Sequence, residues 1–255
     1  MASSPLQLEV GSLVIADLHL AIMEPEDVRY FVDWLAGLDG VPQLLILGDL
    51  FDYWVGMAQA RFEATSQAVA ALAARVAQGT GIEIILGNRD FLLDARFERL
   101  SGCRIHEEGI LARTPDGTRV YFLHGDQLCT LDHRYQRMRR VLRSGPVRWI
   151  APRLPGLAEM AARRLRKVSK RELAKKEDFV VDQQEEAAAS WVARMDADLL
   201  VCGHAHSYRE VPLGQARWVV LDAFGGQKSV LEVFPGGELG VSSRLPASPP
   251  NGQRG

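Results

Sequence analysis

The chain has 255 residues, 47% of them hydrophobic, and a formal net charge of −2, which is enough apolar material for a full core in one domain of generous size. Three cysteines at unrelated spacings, Cys103, Cys129 and Cys202, argue against a disulfide framework or a Cys-rich zinc site and suit a reducing cytoplasm. The opening MASSPLQLEV lacks a basic stretch followed by a long apolar run, and no apolar run reaches the roughly 20 residues of a membrane span, so neither export by that route nor a transmembrane helix is expected.

In chain order, short apolar runs at 13–16, 44–47 and 82–86 suit buried strands. Between them, 24–38 and 61–78 carry helical periodicity and good helix formers, which makes a βαβαβ pattern and hence a parallel sheet. Residues 119–123 and 199–202 supply two further strands, and 218–223 with 229–234 read as a closing hairpin around Gly225 and Gly226. The expected fold is a layered α/β sandwich with flanking helices, a single domain over 1–240. Its insertion, at about 132–176, contains no strand pattern and reads as a helical cap broken near Ser144-Gly145-Pro146 and again between Pro152 and Pro155. A longer helix, about 170–195, leads back into the sheet, and the Ser-, Pro- and Gly-rich stretch 241–255 is expected to be a disordered tail.

Charge is distributed unevenly along this plan. Residues 134–176 hold fifteen Lys and Arg against Glu159 and Glu172, about +13, which leaves about −15 on the rest of the chain. Such asymmetry suggests a surface that meets anions.

Five short motifs each follow a strand-like run: Asp17-Leu18-His19, Gly48-Asp49-Leu50-Phe51-Asp52, Gly87-Asn88-Arg89-Asp90, His124-Gly125-Asp126 and Gly203-His204-Ala205-His206. Ligands of open α/β folds bind beyond the carboxyl ends of the strands, where loops converge on a rigid frame, and all five motifs occupy that position. Divalent ions that activate water for phosphoryl chemistry take oxygen and imidazole ligands, and Asp17, His19, Asp49, Asn88, His124, His204 and His206 supply them. Asp49, in the tight turn after Gly48, is the natural carboxylate bridge between two ions. Asp17 and His19, two apart on an extended tail, point the same way and can share one ion, whereas His204 and His206 can share an ion or serve two. A lone D-x-H or G-D after a strand is ordinary turn chemistry. Four of the six histidines falling in such motifs, with only His106 and His133 outside them, is not.

The motif series D-x-H, G-D-x-x-D, G-N-R-D, H-G-D and G-H-x-H resembles that of the calcineurin-like metallophosphoesterases. The resemblance implies a β-sandwich flanked by helices and a two-metal site of manganese, iron, zinc or similar ions. Carried over, one ion is held by Asp17, His19, Asp49 and His206 and the other by Asp49, Asn88, His124 and His204; Asp52, Asp90 and Asp126 then orient imidazoles and loop backbone. Many phosphodiesterases of this family have histidine after the asparagine, where it protonates an alkoxide leaving group. This chain has Arg89, which stays protonated and cannot be a general acid, but whose planar fork holds phosphate oxygens. A phosphate leaving group, with a second pKa near 6, departs without a proton, so Arg89 favours cleavage of a diphosphate; the plainer alternative is a surface bridge to Asp90 or Asp94.

Gly48-Asp49-Leu50-Phe51-Asp52-Tyr53-Trp54-Val55-Gly56, the run from Gly87 to Leu93 and the run from His124 to Arg139 are similar to the UDP-2,3-diacylglucosamine hydrolases of the lipid A pathway. That resemblance implies hydrolysis at the α-phosphate to UMP and 2,3-diacylglucosamine 1-phosphate, usually with manganese, under a helical cap that holds the acyl chains. It places substrate contacts at Asn88, Arg89, Asp132, Tyr135, Ser169, Lys176 and His204, and catalysis at Asp49, Asn88 and Arg89. Leu173 and the stretch Asp222-Ala223-Phe224-Gly225-Gly226 depart from it, which bears on sugar and acyl specificity and not on the metals. The apolar residues interleaved with the basic segment suit a lipid tail or an anionic inner-membrane surface met peripherally, while the near absence of aromatics there disfavours nucleic acid. The competing functions are a broader nucleotide or dinucleotide diphosphate hydrolase and a non-catalytic scaffold, whose signature would be missing metal ligands. The sequence leaves the oligomeric state open.

Overall fold

A computed structural model describes residues 4–21, 24–150 and 182–244. Two six-stranded sheets pack face to face. The first has the order β1 (Leu6–Gln7), β6 (Gly109–Arg113), β7 (Arg119–Leu123), β8 (Leu199–Cys202), β10 (Ala216–Val220), β9 (Arg209–Leu213). The second has the order β12 (Leu239–Val241), β11 (Val230–Val233), β2 (Leu13–Ile15), β3 (Gln43–Ile46), β4 (Gly81–Ile85), β5 (Arg104–His106). The run β2-β3-β4-β5 is parallel throughout, in the register Val14↔Leu45, Leu44↔Ile82 and Ile84↔Ile105.

The unbroken apolar runs have a direct reason: both faces of each central strand are buried, so the pleat sends successive side chains into two different cores. Val14, Leu45 and Ile85 meet Val120, Phe122 and Val201 between the sheets. Their neighbours Leu13, Ile15, Leu44, Ile46 and Ile84 face outward against helices α1 (Pro25–Ala36), α2 (Glu63–Ala77) and α3 (Ala95–Ser101). On the other side, Leu200, Cys202 and Trp218 pack with Ala188 of the helix Glu185–Met195. Each helix commits one stripe: α1 buries Val28, Phe31 and Leu35, and α2 buries Ala68, Val69 and Leu72. Pro25 opens α1, where a missing N–H costs nothing, and the Asp94 side chain caps α3 by accepting from the N–H of Arg96 at 2.9 Å.

Three expectations need correction. The stretches 218–223 and 229–234 do not form a hairpin: β10 turns back on β9, while β11 crosses to the other sheet and lies between β2 and β12. The crossing segment is anchored by Phe224, whose N–H donates to Ala16 O at 3.1 Å and whose ring sits edge-on to Trp34, 5.0 Å between centroids. The helix Glu185–Met195 does not continue unbroken from about 170, because Gln184 has extended backbone (φ −95°, ψ 134°); residues 170–181 of that expectation lie outside the described residues. Order also runs past residue 240: Val241 ends β12, the Ser242 hydroxyl donates to Glu232, and Arg244 O accepts from the Trp34 indole at 3.1 Å. The four edge strands β1, β5, β9 and β12, and β6 beside β1, lack the long apolar runs that mark a doubly buried strand. Within the insertion, helices α4 (His133–Leu142) and α5 (Gly145–Ile150) flank the break at Ser144. The remainder of the insertion, the second Pro-rich break, Ser169, Leu173, Lys176 and residues 245–255 lie outside the described residues. No helix among the described residues is long and apolar enough to cross a membrane.

Candidate active site

All five motifs leave the carboxyl ends of strands, three from one sheet (β2, β3, β4) and two from the other (β7, β8), so the site straddles the open edge of the sandwich. The loops are laced together. His19 N–H donates to Asp49 O at 2.9 Å and Leu20 N–H to Leu50 O at 3.0 Å, while Gly203 N–H donates to His124 O at 2.9 Å across the second sheet.

Asp17 and His19 are not on an extended tail. Asp17, His19, Asp49, His204 and His206 all have positive φ, between 51° and 72°, the left-handed region that L side chains rarely adopt. Among the described residues, Asp196 is the one other non-glycine residue so placed. Strain of this kind persists only where surrounding bonds over-determine it, and here it turns five polar side chains toward one point. Gly87 and Gly203 permit the approach: a Cβ on Gly87 would run into Asp49, and one on Gly203 into Asp17 and Ala16.

Two groups of potential ligands result, Asp17 with His19 and His206, and Asp17 with Asp49 and His124. His206 Nε2 lies 3.7 Å from Asp17 Oδ1 and 3.0 Å from His19 Nε2; His19 Nδ1 is 3.8 Å from Asp49 Oδ2. His124 is fully buried and shares Nδ1 with Leu47 O at 2.8 Å, which leaves Nε2 to face Asn88 Oδ1 at 2.9 Å and Asp49 Oδ1 at 3.8 Å. The His204 ring packs edge-on to His124, 5.0 Å between centroids, and the His204 backbone N–H donates to Asp17 Oδ2 at 2.6 Å. Thus the structure gathers all seven expected ligand residues, with Asp17 as well as Asp49 close to both groups.

The donor set fits divalent cations. Asp17 Oδ1 and His19 Nδ1 are buried without a hydrogen-bond partner, and such orphans are costly unless something completes them. Burial pushes Asp49 up to about 7, against the pull of His124, because Asp90 and Asp17 crowd it with like charge. Asp17 is also raised by burial, but His206 and His124 outweigh that and hold it well below the usual carboxylate range. Burial, together with the His124 charge, takes His204 down to about 4, and burial with Arg89 takes His19 well below its ordinary value, so both imidazoles stay neutral and able to ligate. His124 moves up instead, since Asp49 and Asp17 overcome its burial.

Arg89 is no surface bridge to Asp90 or Asp94. Its Nη1 donates to Asp52 Oδ1 at 2.7 Å and its Nε lies 3.2 Å from Asp49 Oδ2. Asp90 serves the loop backbone, accepting from Gly87 N–H at 2.9 Å and Leu50 N–H at 2.8 Å. Asp126 orients no imidazole directly; it accepts from the Tyr135 hydroxyl and from Arg139 Nε, both at 2.7 Å. Of the expected substrate contacts, Asn88, Arg89 and His204 are therefore at the metal groups. Asp132 caps α4 by accepting from Tyr135 N–H at 3.0 Å. His106, outside the motifs, pairs with Glu83 at 2.7 Å, a plain structural role. Sequence reasoning missed Arg139, Arg143 and Gln183, whose polar heads reach the motif loops; an arginine in a basic run or one glutamine of a pair gives no sign of this.

A model of the calcineurin-like phosphoesterase family matches residues 12–208. The chain is 34% identical to the UDP-2,3-diacylglucosamine hydrolase of Aeromonas salmonicida, an alignment that covers 95% of this chain and 97% of that protein. It is 35% identical to the protein of the same name from Pseudomonas savastanoi, covering 87% of this chain and 91% of that one. With the ligand groups in place on two packed sheets, the chain belongs to the calcineurin-like phosphoesterase family and is a metal-dependent phosphoester or diphosphate hydrolase.

Proposed function

We propose that this protein hydrolyses UDP-2,3-diacylglucosamine at the α-phosphate, adding water to give UMP and 2,3-diacylglucosamine 1-phosphate, as a step of lipid A synthesis. The observation that carries the reading is Arg89, drawn into the site by Asp49 and Asp52, in a chain similar over 95% of its length to a protein of that name. A guanidinium so placed holds phosphoryl oxygens and the growing charge of a phosphate leaving group, which needs no proton. A histidine there would suit an alkoxide.

In this reading two divalent ions, manganese foremost, are held by Asp17, His19, Asp49 and His206 on one side and by Asp49, Asn88, His124 and His204 on the other. Bound there, they supply Lewis acidity for water and for the phosphoryl oxygens. Asn88, Arg89 and His204 touch the diphosphate, and Asp132, Tyr135, Ser169 and Lys176 complete the substrate contacts. The basic and apolar insertion receives the acyl chains and rests on the anionic inner leaflet from the cytoplasmic side, a contact that co-sedimentation with anionic vesicles at low salt measures.

The test is UMP release from UDP-2,3-diacylglucosamine by purified, manganese-loaded protein, with Asp49→Ala as the inactive control. Intact lipid substrate alongside cleavage of soluble nucleotides or dinucleotide polyphosphates overturns the lipid assignment in favour of a broader diphosphate hydrolase.

A further inference from the structure

The chain between the fourth and fifth motifs leaves and rejoins the sandwich through polar anchors, half-buried on the leaving side and buried on the returning side. On the leaving side no residue of α4 is itself fully buried. Even so, its side chains converge on the floor of the site. Tyr135 and Arg139 hold the fully buried Asp126 carboxylate, and Arg143, at the end of the helix, reaches farther. Arg143 Nη2 donates to Leu86 O at 3.0 Å and to Gly87 O at 2.9 Å, and Nη1 donates to Glu107 O at 2.6 Å. The Gly87 carbonyl shares a rigid peptide plane with the Asn88 N–H, so one guanidinium sets the orientation from which Asn88 and Arg89 begin.

The returning side mirrors this. Gln183 is 5% exposed, and its Nε2 donates to Gly203 O at 2.9 Å and to Gly125 O at 3.3 Å, while its Oε1 accepts from Arg209 Nη2 at 3.1 Å. The Gly203 carbonyl lies in the peptide that carries His204 N–H, the group that donates to Asp17 Oδ2. Every polar atom of the Gln183 amide is thus engaged by the fourth and fifth motif loops or by the strand beside them.

We propose that Arg143 and Gln183 are positioning residues, Arg143 setting Asn88 and Arg89 through the Gly87–Asn88 peptide and Gln183 setting His204 through the Gly203–His204 peptide. The proposal rests on the reading of Asn88 and His204 as metal ligands. Arg143, within the insertion, and Gln183, just beyond it, thus share one hydrogen-bonded frame with the loops that carry Asn88 and His204. Groups that orient metal ligands typically matter by about 10–100-fold in affinity or activity.

The experiment titrates manganese into the wild type, Arg143→Gln, Arg143→Lys and Gln183→Glu by electron paramagnetic resonance, and measures UMP release and thermal midpoints on the same preparations. Expected for Arg143→Gln and Gln183→Glu is weakening of one manganese site by about 10-fold or more and a fall in kcat of about 10–100-fold, with KM moving far less. Arg143→Lys, which returns one donor, recovers part of both. Arg143→Lys also keeps the test open where a larger change unfolds the protein. Variants with both manganese affinities and kcat at wild-type values overturn the proposal, as does loss of kcat that tracks only the loss of folded protein. A wild type that binds manganese but releases no UMP sinks the substrate reading alone, and the manganese affinities of the variants then decide the positioning roles.

Discussion

Arg89 grips Asp49 twice: its backbone N–H donates to Oδ1 at 3.0 Å, and its side-chain Nε lies 3.2 Å from Oδ2. The carboxylate proposed above to serve both ions is therefore oriented by the same residue whose guanidinium faces the site. Truncating Arg89→Ala is expected to lower kcat for UMP release by about 100–1000-fold, the usual cost of losing one donor to developing charge. Arg89→Lys, a point charge without the fork, recovers only part of it. Steady-state kinetics with retained manganese binding separates this loss from loss of metal.

The metal-free protein is expected to carry a stability cost at Asp49. Its folded pKa is raised to about 7 by burial, while in the unfolded chain it sits near 3.8. The folded state therefore holds a proton that the unfolded state has released, and this contribution to stability falls as pH rises from about 4 to 7. Asp49→Asn should raise the thermal midpoint of chelator-treated protein at pH 8 and leave it unchanged at pH 4, while abolishing activity. Thermal denaturation at the two pH values checks the sign.

Gly87→Ala places a methyl group against the Asp49 backbone and carboxylate. Neither can give way, because Asp49 already holds a left-handed backbone and bonds Arg89. The variant should lose about 1–3 kcal/mol of stability and bind manganese more weakly, as read by denaturant unfolding and metal titration.

Phe97 supports the second motif from behind. It is fully buried, edge-on to Phe51 at 6.0 Å and to Trp54 at 5.4 Å between centroids. Phe97→Ala should cost about 3–5 kcal/mol in urea unfolding, since a large cavity opens beneath the loop that carries Asp52.

Much of this was legible in the sequence for a physical reason. Strands buried on both faces are mostly apolar, so 13–16, 44–47, 199–202, 82–86 around Glu83 and 119–123 after Arg119 stood out. The seven ligand candidates were legible because each lies within a few residues of such a strand, where local chain direction sets its position. The edge strands were not: β9 carries Pro212 and alternates exposed with half-buried residues, a pattern that loops share. Nor was the allocation of β10 and β11 to different sheets, since both are apolar and either could pair with the other.

What the sequence by itself determined was the ligand inventory, its order along the chain and the choice of arginine over histidine at position 89, because these are matters of residue type and local spacing. Only the tertiary structure decided that Arg89 turns to Asp49 and Asp52, that Asp17 stands close to both ligand groups, and that Arg143 and Gln183 hold the motif loops. Those contacts join residues 20 or more positions apart through buried carbonyls and carboxylates, and the partner of a buried polar group is set by what the packed sheets bring beside it, which no local pattern encodes.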